Sequence, residues 1–146
     1  MNIVYPEHPF RIKKDPQDKE FIFDELRKQW VRLTPEEWVR QNFIQYLLIQ
    51  KKYPASLIAV EKEIKLNDLR KRCDILVYNK DATPWLLVEC KKMEESLDEK
   101  VAAQVLSYNA ALPVVFLIVT NGRNTYGFEI KENTFVLIDA LPSYSS

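Results

Sequence analysis

At 146 residues, 47% of them hydrophobic and 29% charged, the chain has the length of one domain and enough apolar residues to bury a core. Its 21 basic and 21 acidic residues balance, which counts against a protein that holds nucleic acid tightly by itself. Two glycines and a single histidine exclude a Walker phosphate loop, a dinucleotide fingerprint, a His/Cys zinc site and a Ser-His-Asp triad.

Charge balance leaves two arrangements open. Arg11, Lys13, Lys14, Lys51, Lys52, Arg70, Lys71, Arg72, Lys91 and Lys92 either gather on one side or belong to a mixed solvated surface. The longest apolar run, Val114 to Val119, is too short to span a bilayer, and no export signal precedes it. Two cysteines in such a chain point to a reducing compartment, so the expected location is the cytoplasm.

In chain order, residues 1–17 are rich in Pro and Lys and read as an arm or a sheet edge, and 20–30 as a short strand followed by a helical turn. Residues 1–33 are expected to pack as an arm, strand and short helix on a main domain at 34–146, a single domain overall. Thr34-Pro35-Glu36-Glu37 opens a helix, with Thr as N-cap, Pro at the first helical position and Glu37 closing a capping box. Val39, Phe43, Tyr46 and Leu47 line one face, and the helix ends near Lys51 ahead of Pro54. Residues 57–66 alternate Ile58, Val60 and Ile64 with Glu61, Glu63 and Lys65, a strand with the acids outward and a supporting role open for Glu61.

Two β-rich runs follow, Arg72 to Tyr78 and Trp85 to Lys92, around Asn79-Lys80-Asp81-Ala82-Thr83-Pro84, and predict an antiparallel hairpin. With the loop centred between Asp81 and Ala82, Asp74 faces Glu89, and Cys73 faces Cys90 on the other side. Opposed side chains lie about 4.5–5.5 Å apart at Cβ, close enough for two carboxylates to raise each other's pKa unless a cation intervenes. Lys91 projects on the same side as Glu89. A surface ion pair of Lys91 with the two acids is one reading. The apolar runs Ile75-Leu76-Val77 and Leu86-Leu87-Val88 favour an interior site whose spare negative charge takes a cation.

Ser96-Leu97-Asp98-Glu99 reads as a second capping box, opening a helix with Val101, Val105 and Leu106 on its apolar side. Pro113 closes it, and the following apolar run is a strand covered on both faces. Asn121-Gly122 turns the chain, and 126–130 and 134–139 form a final hairpin. The helix between the third and fourth strands acts as a crossover. The result is an α/β fold: one mixed sheet flanked by helices, ordered α-β-β-β-α-β, with a C-terminal β-hairpin.

Asp74 followed by Glu89-Cys90-Lys91, in that order of elements, resembles the PD-(D/E)XK nuclease superfamily. Gln104-Val105-Leu106-Ser107-Tyr108 resembles the Gln-x-x-x-Tyr element of the subgroup containing the N-terminal domain of the type I restriction enzyme R subunit. Pro35-Glu36-Glu37, Val39-Arg40-Gln41 and Thr120-Asn121-Gly122 also look like that domain. The resemblance implies a restriction-endonuclease-like core and a metal-dependent endonuclease acting on DNA, as part of a restriction-type or defence system. In type I enzymes the domain is fused to a helicase motor, so a separate helicase, translocase or modification subunit is one implied partner. A homodimer is another.

The chemistry fits hard cations. Mg²⁺ or Mn²⁺ prefers carboxylate, carbonyl and water oxygens. Asp74, Glu89 and the Cys90 backbone carbonyl are the expected ligands, with Glu36 a further acid and Glu37 its alternative. Lys91 would orient the attacking water or neutralise the phosphate. Gln104 would contact the Lys91 region or a phosphate, with Tyr108 one turn later as a substrate contact. The competing reading is a nucleic-acid-binding or assembly module on the same fold that no longer cuts.

Overall fold

The computed structural model describes residues 1–107 and 112–144; the expectation for Tyr108 lies outside them. Aromatic and β-branched residues near the N terminus form three antiparallel strands, β1 (Ile12–Lys14), β2 (Glu20–Asp24) and β3 (Gln29–Arg32). The helical turn expected before residue 30 is therefore a hairpin. Asp24 drives the reversal, because its carboxylate accepts the Arg27 N–H at 2.8 Å.

Helix α1 (Pro35–Gln45) begins where the sequence predicts, with Thr34 extended and its hydroxyl accepting the Glu37 N–H at 3.0 Å. The reciprocal half of the capping box is not made. Glu37 instead turns inward to Arg40 and Gln41, stronger partners than an exposed backbone amide. One π-helical turn (Tyr46–Gln50) extends α1.

A six-stranded sheet follows, in the order β4 (Ile58–Leu66), β5 (Leu69–Tyr78), β6 (Pro84–Cys90), β7 (Phe116–Thr120), β8 (Thr125–Lys131) and β9 (Thr134–Ile138). Neighbours are antiparallel except β6 and β7, which run parallel and are joined through α2 (Glu99–Ser107). The mixed sheet with two helices matches the expected fold class at that level. α2 is capped by Asp98, which accepts the Val101 N–H at 2.8 Å, and not by Ser96. Of its apolar residues Ala102 and Leu106 are buried, while Val101, expected on the apolar side, is exposed.

One apolar layer lies on each side of the sheet. Val39, Phe43 and Ile44 of α1 and Leu47 of the π-helical turn pack on Ile75, Val77, Leu86, Val88 and Cys90. Ala102 and Leu106 of α2 pack on Cys73, Leu76, Leu87, Leu117 and Val119. Strand alternation fails where β4 and β5 pair. In β5, Cys73 shares the α2 side with Leu76, although period two would put it with Ile75. In β4, Val60 packs on the α1 side and Ile64 on the α2 side. Both strands change faces between the pairs Val60–Ile75 and Lys62–Cys73, leaving Glu61 and Asp74 out of the ladder. Glu61 makes the change with φ +54°, a conformation that costs a non-glycine residue about 1 kcal/mol or more.

This overturns one expectation. Cys73 and Cys90 do not face each other; they are free, buried thiols on opposite sides of the sheet.

Candidate active site

The predicted register holds over three pairs, Ile75–Val88, Leu76–Leu87 and Val77–Leu86, and then stops short of Asp74. In β6, Leu86, Val88 and Cys90 face α1, so Glu89 takes the alternate direction. Asp74, carried over by the change of face, reaches toward α1. The two acids thus approach the end of β6 from different sides instead of standing side by side. They still meet at one peptide: Asp74 Oδ2 accepts the Cys90 N–H at 2.8 Å. That amide belongs to the Glu89–Cys90 bond, so a side chain replaces the missing ladder partner.

The other Asp74 oxygen, Oδ1, accepts from Arg40 Nη2 at 3.1 Å. Arg40 is 5% exposed and also donates through Nη1 to Glu37 Oε1 at 3.0 Å, with Glu61 Oε1 2.8 Å away. Glu61 is not the outward strand residue expected; it bridges Arg40, Arg27 and Arg72. Arg27 joins Glu61 to Asp24, and Gln41 Nε2 donates to both Asp24 and Glu37. Burial alone would raise Asp24, but the Arg27 amide, Gln41 and the Arg27 guanidinium together hold it below the usual carboxylate range. Glu61 is likewise lowered, its desolvation outweighed by Arg40 and by the charges of Arg72 and Arg27.

Glu89 has a different setting. Its Oε1 lies 3.8 Å from both Lys71 Nζ and Lys91 Nζ. Its Oε2 is buried and has no hydrogen-bond partner among the described residues. A buried carboxylate oxygen without a donor is costly, of the order of 1–3 kcal/mol or more.

Glu36 and Glu37 have different surroundings. Glu37 is committed to Arg40 and Gln41 inside the protein. Glu36, one position earlier, faces the site: burial and the Asp74 charge raise its pKa, while Arg40 and Lys91 pull it down. Gln104 is exposed on α2, and its side chain makes no hydrogen bond among the described residues.

The network of Asp24, Arg27, Arg40, Gln41 and Glu61 was not foreseen. A signal for part of it was present: Glu37, Arg40, Gln41 and Ile44 recur at helical spacing. That puts three polar residues within the buried stripe of α1, where they must find partners.

Among the described residues, no three His, Cys, Asp or Glu side chains group closely enough to hold a metal ion by themselves. The donor set still suits Mg²⁺, which keeps several waters and commonly takes only one or two carboxylates. Buried side-chain atoms without a hydrogen-bond partner among the described residues include Arg27 Nη2, Arg40 Nε and Glu89 Oε2, and of these three only the Glu89 oxygen is an acceptor that a cation could satisfy.

Fold and site together define an α/β protein with an Asp, a Glu and a Lys drawn to the end of one central strand. The family model described as type I restriction enzyme R protein N terminus (HSDR_N) matches residues 35–142, and the chain belongs to that family. No curated protein matches the chain. The matched stretch begins at Pro35, so β1 to β3 lie outside it.

Proposed function

We propose that this protein is a metal-dependent phosphodiesterase of the PD-(D/E)XK type, with a restriction-endonuclease-like core, cutting DNA within a restriction-type system. The observation that carries this reading is the buried, unpartnered Oε2 of Glu89 beside two lysines. Asp74, Glu89 and the Cys90 carbonyl would hold Mg²⁺ or Mn²⁺, with Glu36 beside Asp74. When bound, the ion supplies polarisation of the scissile phosphate and a lowered pKa for water.

The remaining steps belong to the chain. Arg40 fixes Asp74 in place beside the Glu89–Cys90 peptide. Lys91, held 3.8 Å from Glu89, orients the attacking water or neutralises charge growing on the phosphate. Gln104 would contact a phosphate or the Lys91 region, and the resemblance adds Tyr108 as a substrate contact. The expected setting is the cytoplasm, with a separate motor or modification subunit, or a second copy of the chain, as partner. The two free thiols support a reducing compartment.

A second reading, a non-cleaving nucleic-acid-binding or assembly module, draws on one observation: both Asp74 oxygens are already engaged by protein donors. Cleavage of plasmid, linear and branched DNA with Mg²⁺ and Mn²⁺ separates the two. Glu89→Ala and Lys91→Ala are expected to abolish cutting while the circular dichroism spectrum stays that of the parent. Undiminished cutting by Glu89→Ala would defeat the nuclease reading. Calorimetry with Mn²⁺ adds a direct test, since no heat at millimolar ion favours the binding module.

A further inference from the structure

The three-stranded sheet ahead of the family match has one face unexplained by packing. Ile22 and Asp24 point into the protein and are fully buried. The alternate residues point outward, and cross-strand pairing arranges them in two rows. Lys13, Phe21 and Arg32 form one row. Arg11, Phe23 and Trp30 form the other, with the Phe23 N–H donating to the Arg11 carbonyl. Three cations and three aromatic rings thus share a face that carries no acid.

Two of the cations, Arg11 and Lys13, lie on rings and not on carboxylates. The Arg11 guanidinium stacks 4.0 Å from the Phe23 ring centroid, and Lys13 Nζ lies 4.2 Å from that of Trp30. Phe23 and Trp30 pack edge to face at 5.4 Å. None of Arg11, Lys13 and Arg32 makes an ion pair among the described residues, although acids and bases are equal in number along the chain. A cation on a ring keeps its N–H donors directed at solvent. Interleaved rings and unpaired cations are what a strand with exposed bases requires, bases on the rings and phosphates on the cations. A duplex hides its base faces and has no use for the rings. Arg32 also lines the depression that holds Glu36, Arg40 and Glu61, so one end of the platform borders that depression.

We infer that the outer face of β1 to β3 binds single-stranded nucleic acid, with Trp30 and Phe23 stacking bases and Arg11, Lys13 and Arg32 taking phosphates. The inference rests on the nucleic-acid reading above and extends it to a strand-feeding surface.

The test is fluorescence anisotropy of a labelled oligothymidylate with the full chain in EDTA, so that binding is read without cleavage. Trp30→Ala is expected to weaken binding about tenfold, and Trp30→Phe to stay close to the parent. Arg11→Gln with Lys13→Gln, both exposed and away from the core, should lower the slope of log affinity against log salt by about 1.4. Parent-like binding by Trp30→Ala and by the double variant would overturn the inference, as would a parent that fails to bind at low salt. Equal competition by an acidic peptide would also overturn it, marking a protein-binding surface. Loss of cleavage in Glu89→Ala with binding intact leaves this surface standing, so the two readings fail separately.

Discussion

Replacing Arg40 with Met keeps most of the side-chain stem and removes the charge that three carboxylates share. Glu61, Glu37 and Asp74 lie 2.8, 3.0 and 3.1 Å from its guanidinium. Removing one partner of a buried ion pair costs about 3–5 kcal/mol. Glu61 retains Arg27 and Arg72, and Glu37 retains Gln41, so a loss of about 3 kcal/mol at neutral pH is expected, at the low end of that range. Domain stabilities are about 5–15 kcal/mol, so the variant folds but with a visibly lower urea midpoint. The sign with pH follows from Glu61, whose pKa Arg40 helps to hold below its ordinary 4.5. A depressed carboxylate contributes stability above its unfolded pKa and loses it as pH falls through the folded one. The gap between parent and variant should therefore be full above pH 4.5 and narrow below it. Urea unfolding followed by circular dichroism between about pH 2.5 and 8 measures this. Adding Glu61→Gln to Arg40→Met should recover part of the loss. A gap independent of pH, with no recovery in the double variant, would show that Arg40 acts through its stem and refute the electrostatic account.

Further outcomes follow from other parts of the structure. Glu89→Gln, which neutralises the orphaned carboxylate, should melt no lower than the parent in EDTA, and adding Mg²⁺ should raise the parent's Tm but not the variant's; an equal rise in both would remove Glu89 from the metal site. Asp24 is held below its ordinary 3.8, so Asp24→Asn should destabilise at pH 7 and converge with the parent as acid protonates the parent's Asp24, read from paired urea titrations. Gly122→Ala meets φ +88° and a Met93 carbon at 3.2 Å, and a loss of about 1–2 kcal/mol is expected by thermal melting. Burial pushes the Cys73 thiol up to about 11 and Cys90 well above its usual range, so neither should react with a disulfide reagent at pH 8 until urea unfolds the chain.

Much of the scaffold could be read from residue order, because it rests on local rules. Thr34-Pro35 set the start of α1, the alternating runs set β5 and β6 in register, and the apolar run after Pro113 marked a strand covered on both sides. Errors arose where a nearby rule met a stronger tertiary one. Asp98 displaced Ser96 as cap, Gln29-Trp30-Val31 paired with β2 in place of turning as helix, and Glu37 left Thr34 for Arg40. The larger miss was at the site. Period-two alternation placed Asp74 beside Glu89, but alternation presumes an unbroken pleat, and the positive φ at Glu61 is invisible in a residue that ordinarily avoids it. The identities of Asp74, Glu89 and Lys91 were legible; the directions in which they point were not.

That pleat defect occurs on two adjacent strands at once, which constrains how the protein can change. Deleting Asp74 alone, or Glu61 alone, would leave one strand a half-repeat out of step with its neighbour and throw every outer side chain to the wrong layer. Losing both together would restore a smooth ribbon and erase the anchor on the Cys90 amide. Variation at these two positions is therefore expected to come in matched pairs, and an engineered hairpin that tidies this irregularity would give up the carboxylate that Arg40 holds in place.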